Sequence, residues 1–179
     1  AKGAIINSDL DSECYKWDMG GRLIGNDWTE CNLSENISFE GLSELTRLHL
    51  TYNNLTEVDI SENKKLTDLF LGYNLLTNLD LSNNHNIEAL YCLNNMISTL
   101  EVKHLEKLRT IQCSNNKLTS LELDNHLEMF SIFCHDNEIT KLDVSKCPKL
   151  DRLICSGNKL TTLDVSKCTE LSWLFCYEN

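Results

Sequence analysis

Apolar residues recur along most of this chain with a period of 21. Written in steps of 21 from Leu45, the sequence aligns on itself without gaps, in units opening at Leu45, Leu66, Ile87, Leu108, Met129, Leu150 and Leu171. Position 4 of the unit holds Leu48, Leu69, Leu90, Ile111, Ile132, Leu153 and Leu174, and position 9 holds Asn in all seven units, Asn53 to Asn179. Apolar residues at positions 4 and 6 predict a short strand with one buried face. A chain built from such units lays each strand beside the last, about 4.8 Å away. One coil cannot bury its own core, whereas a stack can. The Asn stands where the chain leaves the strand, so its amide is placed to satisfy backbone groups of neighbouring coils that would otherwise be buried unpaired. The return half also alternates, with apolar residues at positions 14 and 16. That predicts extended segments or short 3-10 turns on the convex side, and no long helix.

The unit L-x-x-L-x-[L/C]-x-x-N-x-[L/I]-[T/S]-x-L-[D/E]-[V/L/I] resembles the 21-residue leucine-rich repeats of bacterial internalin-J-type and Bacteroidetes surface proteins. Residues 150–170, LDRLICSGNKLTTLDVSKCTE, match it best. The resemblance covers residues 45–179. It implies a leucine-rich-repeat solenoid, a right-handed superhelix with a parallel concave sheet. It also implies a stacked cysteine ladder and an exported or surface-attached binding protein. It does not name the partner, because one fold hosts many.

Three stretches follow from the pattern. Residues 45–179 form six repeats and a half repeat. Residues 28–44 read as a degenerate first repeat, with Trp28, Cys31, Leu33 and Asn36 matching Leu45, Leu48, Leu50 and Asn53. Residues 1–27 fall outside the repeat and are expected to cap the core, as terminal units of solenoids must.

Nine cysteines fall into three sets. Cys92, Cys113, Cys134, Cys155 and Cys176 take position 6, where Leu50 and Leu71 stand earlier; a thiol in a leucine slot acts as a small hydrophobe. Cys147 and Cys168 follow His126 at position 19. That column could bind a metal, but ligands one coil apart are spaced too widely for one tetrahedral zinc, so packing is the expected role. Cys14 and Cys31 either staple the terminal segment or stay reduced.

Composition narrows the function. The net charge of −11 opposes non-specific binding to nucleic acid or anionic membranes. No apolar run is long enough for a transmembrane helix. No P-loop, G-x-S-x-G, H-E-x-x-H or G-x-G-x-x-G occurs, so no enzyme and no cofactor are expected. The carboxylate column at position 15 (Asp59, Asp80, Glu101, Glu122, Asp143, Asp164) could recruit calcium, but it lies between buried positions and reads as a solvated face. Residue 1 is Ala, which suits a processed export product and equally a trimmed chain.

The aromatic residues point to a surface. From residue 45 onward all nine lie in the strand windows, and none occupies buried positions 4 or 6. Position 5, facing outward, reads His49, Phe70, Tyr91, Gln112, Phe133, Ile154 and Phe175. Apart from Gln112, these residues form the candidate concave binding face together with Tyr52, Tyr73, Trp173 and Tyr177. Large outward aromatics favour macromolecular recognition of a protein or peptide. A structural subunit of a larger surface complex and a carbohydrate-binding surface are the alternatives. The unit at Leu171 lacks a return half, so its open end is expected to be covered by further chain, a partner subunit or a second copy.

Overall fold

The computed structural model describes residues 27–179, and the proposed cap except Asp27, Cys14 included, lies outside them. Nine strands follow in chain order: β1 (Ser34–Ser38), β2 (Arg47–His49), β3 (Asn54–Asp59), β4 (Asp68–Phe70), β5 (Ala89–Tyr91), β6 (Thr110–Gln112), β7 (Ser131–Phe133), β8 (Arg152–Ile154) and β9 (Trp173–Phe175). Seven form one parallel sheet in the order β2-β4-β5-β6-β7-β8-β9. Each pairs with the next at an offset of 21 residues, as in Leu48↔Leu69 and Leu69↔Leu90. The strands are thus positions 3–5 of the unit. The described residues contain no helix.

The core is built from the repeat. Position 4 is fully buried from Leu48 to Leu153, and position 6 from Leu50 to Cys155. Burying one leucine removes enough apolar surface to stabilise by about 2 kcal/mol, and the stack repeats this at every coil. The return is extended through positions 14 to 16 and closes in two successive turns. In the first unit Asn63 N–H donates to Ile60 O and Leu66 N–H to Asn63 O.

Two side-chain ladders satisfy the backbone. At position 9 the amide of Asn95 donates to Leu71 O (3.0 Å) of the preceding coil and to Cys92 O (3.1 Å) of its own. Its oxygen accepts from Leu76 N–H (3.0 Å). The other Asn residues of the column repeat this. A second ladder serves the carbonyls at position 16. Asn63 Nδ2 donates to Phe39 O, and Asn84 Nδ2 to Ile60 O. Leu105 cannot donate, and in its coil His104 Nε2 reaches Leu81 O instead (2.8 Å). His126 Nε2 then serves Val102 O, and Cys168 Sγ serves Val144 O. The His126-Cys147-Cys168 column is therefore core and backbone support.

The coil before Leu45 differs in register from the expected one. Asp27 bridges to His49, Trp28 O accepts from Asn53 Nδ2, and Leu33 N–H donates to Asn53 Oδ1. Those are the places of positions 5, 6 and 11, so Trp28 matches Leu50 rather than Leu45, and Leu33 matches Leu55. β1 pairs with β3 through a register shift at Glu35/Asn36, which takes up one extra residue. Cys31 is disulfide-bonded.

On the convex side, position 21 carries a column of cross-coil contacts. Lys65 meets Glu44 (2.7 Å), Lys107 meets Asn86 (2.7 Å) and Lys149 meets Glu128 (2.6 Å). The position-15 carboxylates are exposed. Asp59, Asp80, Asp143 and Asp164 each accept the N–H of the Ser two residues on; hydrogen bonding by that serine, at Asp59 chiefly by its hydroxyl, lowers their pKa.

Candidate concave recognition surface

Strand alternation turns position 5 outward, and the cross-strand spacing brings its rings into contact. His49 stacks on Phe70 with centroids 4.1 Å apart, and Phe70 on Tyr91 at 4.7 Å with the planes 8° apart. Each ring covers its neighbour, so all three are half-buried rather than fully exposed. Gln112 ends this stack. Phe133 and Ile154 pair on β7 and β8 and are also half-buried.

Burial lowers the His49 pKa, with Asp27 and Asp68 opposing the shift and Arg47 reinforcing it. The imidazole is neutral at pH 7 and behaves as a third aromatic ring. Arg47 lies 3.9 Å from Asp68 on the neighbouring strand.

A second stack runs beside the first, at position 8, where Tyr52 and Tyr73 lie 4.2 Å apart. Both have φ of 57°. The whole column shares this left-handed backbone, through Asn94, Asn115, Asp136, Gly157 and Glu178. Asn, Asp and Gly tolerate it; a tyrosine does so at a cost of about 1–2 kcal/mol. The fold sets the conformation, and the two tyrosines occupy it despite the cost. Two residues further on, Leu75 and Met96 at position 10 are also exposed. Beyond them the column becomes Lys117, Glu138 and Lys159, with Lys159 paired to Glu138 (2.7 Å).

The third group lies on and beyond β9. Trp173, Phe175 and Tyr177 make edge contacts at 5.8 and 6.3 Å, and Arg152 packs over both Phe130 and Trp173. Leu174 is 39% exposed where the other position-4 residues are 0%.

The ten residues expected on the concave face thus separate into two stacks, the Phe133–Ile154 pair and the β9 cluster. Sequence reasoning missed the Arg152 sandwich, the Leu75–Met96 rim and the left-handed column. The rim left a readable signal in the change from apolar to charged residues along position 10, and the left-handed column a weaker one in Asn94, Asn115, Asp136 and Gly157. Among the described residues no group of three or more His, Cys, Asp or Glu is arranged to hold a metal ion. Nor do the described residues hold a helix long and apolar enough to cross a membrane.

The parallel sheet, the Asn ladder and the buried thiols at position 6 decide the architecture. The chain is a leucine-rich-repeat solenoid. This solenoid superposes on the functional domain of internalin J (InlJ) from Listeria monocytogenes, which includes a cysteine ladder, with a TM-score of 0.80 and 35% identity over 86% of the chain. It is also similar to a leucine-rich-repeat protein of Leptospira interrogans (TM-score 0.71, 24% identity, 75% of the chain). An internalin F of Listeria monocytogenes matches with a TM-score of 0.63, at 23% identity over 74% of the chain. The solenoid spans 34%, 38% and 48% of those chains, respectively. No family model and no curated protein matches. Solenoids of this architecture are interaction scaffolds that use an extended concave surface.

Proposed function

We propose that the chain recognises a protein partner through its concave face, with the aromatic surface of its first three coils as the anchor. The observation that carries this reading is the pair of neighbouring stacks, His49–Phe70–Tyr91 and Tyr52–Tyr73. Aligned rings present a large rigid area at little entropic cost, which suits a binding anchor. The cost of holding two tyrosines in a left-handed backbone points the same way, because such strain persists where function needs the side chain. Catalysis is not part of this reading. Export to an oxidising compartment accompanies it, supported by the disulfide at Cys31 and the likeness to internalins.

The test is capture of partners from the native cell surface and its surroundings. Wild-type chain is compared with a Phe70→Ala/Tyr91→Ala variant that retains a cooperative melt. Loss of specific capture is the expected result. Equal capture by both would place recognition elsewhere.

A further inference from the structure

Charge is unevenly divided along the solenoid, and the acid-rich part is the one that holds the two aromatic stacks. Residues 27–100 hold eleven Asp/Glu against three Lys/Arg, whereas residues 101–179 hold twelve against ten. The acid-rich part contains both stacks and the exposed rim of Tyr52, Tyr73, Leu75 and Met96, which are 49%, 40%, 44% and 37% exposed. Two separate columns change character within one coil of each other. Position 8 passes from tyrosine to Asn94, and position 10 from Met96 to Lys117.

The acids lie at the stacks themselves. Glu30 precedes Tyr52 in the left-handed column, with φ of 57°, and its N–H donates to Thr51 O beside that tyrosine. Asp27 bridges to His49, and Asp68 stands on β4 two residues before Phe70. Across β2, β4 and β5 the sole base is Arg47, which faces Asp68. Lys64 and Lys65 belong to the return turn, and Lys65 is engaged by Glu44.

An aromatic and aliphatic surface rimmed by carboxylates complements a side chain with an apolar stem and a cationic head. Lys and Arg have that form. Neutral His49 and the tyrosine hydroxyls add acceptors without adding positive charge. We infer that the partner segment seated on coils one to three is cationic, a stretch of protein chain carrying Lys or Arg among apolar residues, laid across the Tyr52–Tyr73 rim. This rests on the concave face being the recognition surface. It goes further in naming the chemistry of what binds and the edge that selects it.

The experiment uses the full chain as bait for a displayed library of random 15-residue peptides. Enriched sequences should be net positive. Their binding should weaken at least tenfold between 50 and 500 mM salt. The double variant Tyr52→Asn/Tyr73→Asn should lose at least tenfold in affinity while melting no lower, because Asn suits the left-handed backbone; Leu127→Ala, an exposed site on the return, should bind as wild type. Enrichment of neutral or acidic peptides that still depend on Phe70 and Tyr91 would sink the cationic inference and leave the concave-face reading standing. Enriched peptides indifferent to both stacks would sink both. Absence of any enrichment would also overturn the inference, since a linear basic segment would then not be recognised.

Discussion

Replacing Asn95 tests whether the amide ladder stabilises the stack or merely fits it. Asn95 lies mid-array, buried, between Asn74 and Asn116. Its loss has unequal consequences for its partners. Leu71 O and Cys92 O each keep one donor, from Asn74 and Asn116 respectively. Leu76 N–H has Asn95 Oδ1 as its partner, and Leu76 is fully buried. Asn95→Ala therefore strands one buried donor, at about 1–3 kcal/mol, and removes the two amide protons shared among Leu71 O, Cys92 O and Leu93 O, worth about 0.5–1 kcal/mol each. The expected loss is about 3 kcal/mol, read from the midpoint of urea unfolding at pH 7. Asn95→Asp restores an acceptor for Leu76 N–H but turns a carboxylate oxygen toward two carbonyls. It should be at least as damaging at pH 7 and recover partly in acid, as the carboxyl gains a proton and can donate. Asn78→Ala, on the exposed return, is the control and should stay within about 0.5 kcal/mol. A loss below about 1 kcal/mol for Asn95→Ala, or an Asp variant more stable than the Ala variant at pH 7, would refute this accounting.

Native thiol labelling should miss Cys92, Cys113, Cys134 and Cys155 and reach exposed Cys176 quickly, since burial pushes Cys92 up to about 12 and Cys155 to about 11; fast labelling of the buried four would overturn their place in the core. His126 is buried and its pKa is lowered, chiefly by burial. The unfolded chain therefore binds the proton first, so stability present above about pH 6.5 should fall as pH drops below it. His49 acts with the same sign, and the diagnostic is that His126→Asn, which copies Asn63 and Asn84, flattens the slope between pH 6.5 and 5. Truncating Phe70 to Ala should cost about 1 kcal/mol in melting experiments beyond its lost area, because the ring contacts both His49 and Tyr91; no stability change at all would mean the stack does not form in solution.

The strands were legible because Asn recurs every 21 residues beside apolar positions 4 and 6, and few other folds require that. The cysteine ladder was legible for the same reason, as Cys replaces Leu at one fixed place. The register of the first coil is ambiguous in the sequence for a specific cause. Positions 1, 4 and 6 are spaced like positions 6, 9 and 11, so Trp28, Cys31 and Leu33 fit either set. Only the hydrogen bonds to Asn53 separate them. The outward register of position 5 followed from strand alternation, but the mutual covering of the rings needed coordinates. The left-handed column was hidden where it matters most. Asn94, Asn115, Asp136 and Gly157 hint at such a backbone, whereas tyrosine gives no sign of it. Donation by His104 to Leu81 O was equally hidden, because the donor sits one position away from the residue it replaces.

The contacts at position 21 bear on how a chain of near-identical units avoids assembling wrongly. Such a chain can loop one coil out and stack its neighbours almost as well, since every unit offers the same apolar slots. The column along the return edge reads Glu44, Lys65, Asn86, Lys107, Glu128, Lys149 and Glu170. In the native order Lys65 meets Glu44, and Lys149 meets Glu128. Omit one coil, and Lys65 falls beside Lys107, Lys107 beside Lys149, or Glu128 beside Glu170. The hydrophobic pattern alone does not penalise these mistakes, but like charges opposed across neighbouring strands of chain do. Charge on the outer edge thus disfavours these three omissions, while the leucine slots at position 4, alike in every coil, are indifferent to them.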